Sequence, residues 1–207
     1  MAYAPVQVRS GVYQLKEGNK TRNLFLIHGL WGDGAFNADG DQMRAFYEQL
    51  ESEDAFGDHT VWALSYNTVF MPFDISGAWL AKELKQLEGY DFSNALVVGY
   101  SMGGLIARSL ISNGFDFKYL VTIDTPHHGP VQKWNTIMWG TFLLNPLTSI
   151  VNMVVHGIDS LIWGSGSHNF IHSSALDKAK RKTSYAFYGI DHQRSAETPF
   201  AGDDGVV

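Results

Sequence analysis

The sequence predicts an α/β layer fold with a mostly parallel sheet flanked by helices, on two observations. Short apolar runs rich in β-branched residues recur along its 207 positions, each followed by a stretch whose apolar residues fall at helical spacing. Several of these runs are apolar on both faces, the pattern of strands covered on both sides in a parallel sheet. A hydrophobic content of 45%, with 14% aromatic residues, suffices for a full core in one domain spanning residues 1–207. No repeat, low-complexity tract or Pro/Gly/Ser linker divides it.

The first strand is LFLI at residues 24–27, which runs into the glycine-studded stretch HGLWGDG. A helix is expected over 39–52, with Met43, Phe46, Tyr47 and Leu50 on one face. The strand VWALSY follows at 61–66, and then a helix over 74–89. In that helix Ile75, Leu80, Leu84 and Leu87 lie near one face, with Asp74 placed to cap the first turn. The strand ALVV at 95–98 leads into a helix bearing Leu105, Ile106, Leu110 and Ile111, and YLVTI at 119–123 is the next strand. SYAFYGI, 184–190, is the last.

One segment breaks this alternation. Residues 131–163 are apolar and aromatic, with Lys133 and Asp159 as the only formal charges. Its uncharged stretch is long enough for the roughly 20 residues of a membrane span, whereas Asn145-Pro146 near its middle favours two shorter helices joined by a turn. Core, membrane insertion and a cap over a site that meets apolar substrates are the three readings, and a cap is the one expected.

Composition narrows the partners. The formal net charge of -6 is spread without a basic stripe, so neither nucleic acid nor an anionic membrane surface is favoured electrostatically. Without cysteine there is no disulfide, no thiolate metal site and no cysteine nucleophile. The N-terminus has no basic region followed by an apolar one, and a cytoplasmic location is expected.

The strongest chemical signal is ALVVGYSMGGLIARSLI at residues 95–111. Here Gly99, Tyr100, Ser101, Met102 and Gly103 form G-x-S-x-G between a strand and a helix, the setting of a nucleophile elbow. Glycines two before and two after the serine are needed because so tight a turn leaves no room for side chains. The turn lifts the hydroxyl out of the sheet and aims the helix N-terminal amides at the reacting oxygen. A glycine-rich turn with an incidental serine is the plain alternative, and the flanking strand and helix argue against it.

Acyl transfer also needs two donors for the developing oxyanion: the residue after the nucleophile, and a loop following an earlier strand. Met102 and Leu30 are therefore the candidate oxyanion-hole residues, acting through backbone N–H groups. His28, at a strand end just before a glycine, is expected to order that loop by hydrogen bonding rather than to transfer protons. His127 and His128 are adjacent and lack a metal-ligand spacing, so loop-shaping hydrogen bonds are expected of them. For His156, His168 and His172, cap contacts or exposure to solvent suffice.

HGLWG, GYSMGG and VTIDTPHHG at 121–129, in this order, resemble bacterial lipases and lipase-like esterases of the α/β-hydrolase superfamily. The resemblance covers about residues 22–207. It implies an α/β-hydrolase fold with an apolar helical lid or cap insertion at 131–165. By position, Ser101 matches the family's nucleophile, and Asp204 in AGDDGVV matches the triad acid, with Asp203 where the family often carries asparagine. The family's histidine follows one further strand, and the sequence reaches Val207 before that strand and histidine loop. A second arrangement in the same chain order pairs Ser101 with Asp124 and His192.

The function this implies is a serine hydrolase of carboxylic esters, a lipase or esterase acting on acyl chains through an acyl-enzyme, with no cofactor. The implied partner is a lipid or other ester substrate, with transient contact of 131–163 with a lipid surface and no nucleic acid. An acyltransferase or thioesterase on the same elbow, and a non-catalytic lipid-binding module, are the alternatives.

Overall fold

The computed structural model describes residues 5–30, 32, 42–127, 165–180 and 184–187. Its strands are β1 (Val6–Arg9), β2 (Val12–Lys16), β3 (Asn19–Ile27), β4 (His59–Leu64), β5 (Leu96–Tyr100), β6 (Tyr119–Ile123) and β7 (Ser184–Phe187). The helices are α1 (Gln42–Ser52), α2 (Phe73–Leu84), α3 (Met102–Ser112), α4 (Gly166–Ser173) and α5 (Ala175–Lys180). The strands form one sheet in the order β1-β2-β4-β3-β5-β6-β7. From β4 to β7 every pairing is parallel, whereas β1 and β2 add an antiparallel edge.

Side-chain alternation along the central strands explains the two layers. Phe25 and Ile27 of β3, with Trp62 and Leu64 of β4, face a core built with Leu80 and Leu84 of α2 and Leu105 and Ile106 of α3. The intervening Leu24, Leu26, Val61 and Ala63 face the other side, where Met43 and Tyr47 of α1 cover them. The parallel register sets Phe25 opposite Trp62, and their rings stack at 6.2 Å. Helices on both faces of strands apolar on both faces are what the sequence implied.

The predicted strands over 24–27, 61–66, 95–98 and 119–123 correspond to β3, β4, β5 and β6, and the described part of the last one is β7. The edge strands β1 and β2 are additions: three of the four β1 residues are exposed, so no buried pattern marks it in the sequence. Their turn places Gly11 at φ +73, where a Cβ would lie 2.4 Å from the Trp79 ring and 2.5 Å from the Ser65 carbonyl.

Two details of α2 correct the sequence reading. Asp74 does not cap it: the N-cap is Pro72, which has no side-chain hydrogen bond, and the Asp74 carboxylate instead accepts from the Ser167 hydroxyl of α4 at 2.6 Å. Ile75 is 53% exposed. The helix starts one residue earlier than expected, and its buried residues Phe73, Ser76, Gly77, Leu80, Ala81 and Leu84 define a stripe that Ile75 misses. Ile75→Ala should therefore leave stability within about 0.5 kcal/mol, checked by urea denaturation.

Candidate active site

Ser101 stands between β5 and α3, at φ 52 and ψ −123. A non-glycine residue in that region costs about 1–3 kcal/mol and persists only where its surroundings hold it. They do: the Ser101 N–H donates to the Ile123 carbonyl of β6 at 2.8 Å, and its own carbonyl accepts from Gly104 N–H at 3.1 Å. Ser101 occupies the N-cap position of α3, yet its side chain makes no capping hydrogen bond. The hydroxyl of an N-cap serine ordinarily accepts from the first turn; here it is not spent that way.

The flanking glycines are explained by close approach. A Cβ at Gly99 would sit 2.6 Å from the Gly103 carbonyl carbon, and one at Gly103 would sit 2.3 Å from the Ile27 carbonyl oxygen. The first turn of α3 thus packs directly on the end of β3. Every residue of α3 from Met102 to Ile111 is buried, which fixes the helix behind the serine.

The loop after β3 passes beside the elbow. A Cβ on Gly29 would lie 2.9 Å from Ser101 Cβ and 3.2 Å from the Tyr100 carbonyl. Leu30 follows immediately and is partly buried against the main core. Of the predicted site, the structure therefore brings together Ser101, Met102 at the start of α3, and the loop that carries Leu30. Asp204, His192 and the segment 131–163 lie outside the described residues.

His28 at the end of β3 is buried, and its Nδ1–H donates to the Gly29 carbonyl at 2.8 Å. Hydrogen bonding within the loop is what its position suggested. Its ring stacks on that of Tyr66 at 4.5 Å, and the Tyr66 hydroxyl donates to the His28 carbonyl at 2.7 Å. Asp124, at the end of β6, is exposed, with φ 48, and its N–H donates to the Phe187 carbonyl of β7.

Sequence reasoning missed a buried polar hub behind the nucleophile helix. Arg108 of α3 and Asp177 of α5 form a two-pronged ion pair, Nε to Oδ1 at 2.9 Å and Nη2 to Oδ2 at 2.8 Å. Their side chains are only 3% and 1% exposed. The guanidinium also faces Nδ1 of His127 at 3.4 Å and Nδ1 of His172 at 3.5 Å. A guanidinium only donates, so both Nδ1 atoms accept and both rings carry their proton on Nε2. Those protons go to Thr122 Oγ1 from His127 at 3.0 Å and to the His127 carbonyl from His172 at 2.9 Å.

His127 accordingly makes the loop-shaping hydrogen bonds expected of it, while His128 lies outside the described residues. For His168 and His172 the described surroundings are protein rather than open solvent, while any contact with residues 131–163 lies outside the described residues. His168 is 1% exposed, packs edge-on against Phe73 at 5.3 Å and stacks on His172, and His172 belongs to the arginine hub. Among the described residues, no group of three or more His, Asp or Glu side chains could hold a metal ion. Nor is any described helix long and apolar enough to cross a membrane.

A strand, a strained serine and a buried helix, in a sheet parallel from β4 to β7, define an α/β-hydrolase. Residues 18–172 match the family described as "Putative serine esterase (DUF676)", and the chain belongs to it. Among solved structures it is similar to Bacillus licheniformis lipase BlEst2. For the propeptide form the identity is 17% and the TM-score 0.54, covering 84% of this chain and 36% of that one. The mature form gives 18% and 0.53, covering 84% and 66%. Phospholipase PlaB from Legionella pneumophila is similar at 18% identity and a TM-score of 0.50, covering 88% of this chain and 41% of that one. The chain thus spans from about a third to two thirds of the length of the BlEst2 chains. No curated protein matches the sequence. Likeness at this identity establishes the fold; membership of the family supports an ester hydrolase.

Proposed function

We propose that the protein hydrolyses carboxylic esters of acyl chains through an acyl-enzyme on Ser101. The observation that carries this reading is the serine itself, held at φ 52 at the head of a buried helix with its hydroxyl not used as a cap. In the proposed reaction a histidine removes the Ser101 proton as Oγ attacks the ester carbonyl. The backbone N–H groups of Leu30 and Met102 stabilise the tetrahedral oxyanion. The imidazolium then protonates the departing alcohol, and water, deprotonated by the same histidine, releases the carboxylic acid.

Asp204 is proposed as the acid that orients and stabilises the imidazolium. Asp124 with His192 is the alternative pair. No step requires a cofactor. Residues 131–163 are proposed to meet the acyl chain and, transiently, a lipid surface, on the strength of their apolar sequence.

Chromogenic esters of increasing acyl length test the substrate class. Burial of each methylene contributes about 0.8 kcal/mol, so kcat/KM should rise roughly four-fold per methylene until the binding surface is filled. A flat or falling series from the acetate upward would sink the preference for acyl chains.

A further inference from the structure

We propose that Tyr66 is a positioning residue for the oxyanion loop, aiming the Leu30 N–H through the His28 ring and the Gly29–Leu30 peptide. This rests on the reading of Ser101 as nucleophile and Leu30 as oxyanion donor. Tyr66 belongs to neither the elbow nor the triad and stands two residues beyond the end of β4.

The geometry makes a chain of four links. Tyr66 is 6% exposed, and burial raises its phenol well above the usual tyrosine range, so the hydroxyl stays protonated and remains a donor. It donates to the His28 carbonyl at 2.7 Å while its ring lies nearly parallel to the His28 imidazole, 13° from coplanar directions and 4.5 Å away. Carbonyl and ring of one residue are thus gripped by one side chain. The gripped imidazole donates Nδ1–H to the Gly29 carbonyl at 2.8 Å, which also accepts from Gly32 N–H at 3.2 Å.

The last link is covalent. The Gly29 carbonyl and the Leu30 N–H belong to the same planar trans peptide, so they point in opposite directions. Two donors on the carbonyl therefore fix the direction of the N–H. The loop has little freedom to choose another arrangement: a Cβ at Gly32 would lie 2.7 Å from His28 Nδ1, and one at Gly29 would lie 2.9 Å from Ser101 Cβ. Close packing on the imidazole at one end and on the nucleophile at the other transmits a tilt of the His28 ring to the peptide between them.

The consequence is specific to the transition state, because the Leu30 N–H gains its strongest partner only when the carbonyl oxygen becomes an oxyanion. Removing an oxyanion donor outright costs on the order of 100-fold or more in kcat, and a misaimed donor should cost less, about ten-fold. Tyr66→Phe keeps the stacked ring and removes the hydroxyl. It is expected to lower kcat about ten-fold with KM within about two-fold of wild type. Affinity for a trifluoromethyl ketone, which forms a hemiketal oxyanion with the serine, should fall in parallel.

His28→Leu, which abolishes the Nδ1–H donor, should show the same split. Because both act on one peptide, the double variant should lose no more than the worse single. Rates are normalised to the fraction labelled to completion by a fluorophosphonate, so that unfolded enzyme does not count. Unchanged kcat and ketone affinity in Tyr66→Phe, or defects that multiply in full in the double variant, would overturn the positioning role while leaving Ser101 as nucleophile. Undiminished hydrolysis by Ser101→Ala would instead remove the nucleophile assignment, and this proposal with it.

Discussion

Ser101→Ala is expected to reduce ester hydrolysis on the order of 10⁵-fold in kcat and to abolish labelling by a fluorophosphonate. The size of the effect follows from the nucleophile and its base acting as a unit: without the hydroxyl only binding and oxyanion stabilisation remain. The fold should survive. Alanine meets the same backbone strain at φ 52 as serine does, and no capping hydrogen bond is lost, because the Ser101 side chain makes none to the helix. Circular dichroism and a thermal melt close to wild type, together with the loss of activity, are the expected pair of results. Activity within ten-fold of wild type would refute the assignment.

Asp177→Ala is expected to destabilise the protein by about 3–5 kcal/mol, read by denaturant titration, since it leaves the Arg108 guanidinium buried and without its carboxylate. The two side chains are 3% and 1% exposed, so solvent cannot replace the missing partner. The cost is one of an uncompensated charge rather than of a lost attraction. Replacing both members by apolar residues of similar volume, as in Arg108→Met with Asp177→Leu, should therefore recover most of the loss. Two neutral histidines would then face an apolar side chain, so recovery is expected to be incomplete: His127 and His172 each lose a donor. A double variant as unstable as the single would show that the pair contributes its own attraction.

How far the sequence disclosed this structure depended on whether each signal was local. The elbow was readable because its constraints fall within a few residues: Gly99 and Gly103 are required by backbone contacts around Ser101 itself. Strands β3 to β6 were readable because both their faces are buried. The first part of β3 was not, since Asn19 to Arg22 are polar and exposed and only Leu24 onward carries the apolar run. Ile75 was misplaced because the expected stripe ignored its angle: at 3.6 residues per turn it lies about 140° from Leu80 and about 180° from Leu84, off the buried face. Arg108 went unremarked in the sequence because its partner lies 69 residues away and nothing local pointed to Asp177. Tyr66 was invisible for a related reason: its role depends on the parallel alignment of β3 with β4, a property of the sheet. Leu30 and Asp204 were assigned by chain order and resemblance, a kind of inference that identifies a peptide or a loop without its geometry.

The arginine hub has a consequence for how this chain can vary. Arg108 grips Asp177, and the His172 ring grips the His127 carbonyl, so positions on either side of residues 128–164 are pinned to the nucleophile helix. Between two fixed anchors the entropic cost of a connection rises only with the logarithm of its length, about 0.6 kcal/mol for each doubling. By that measure a change of length between the two anchors should cost the elbow little, its glycines Gly99 and Gly103 being set by contacts among β3, β5 and α3.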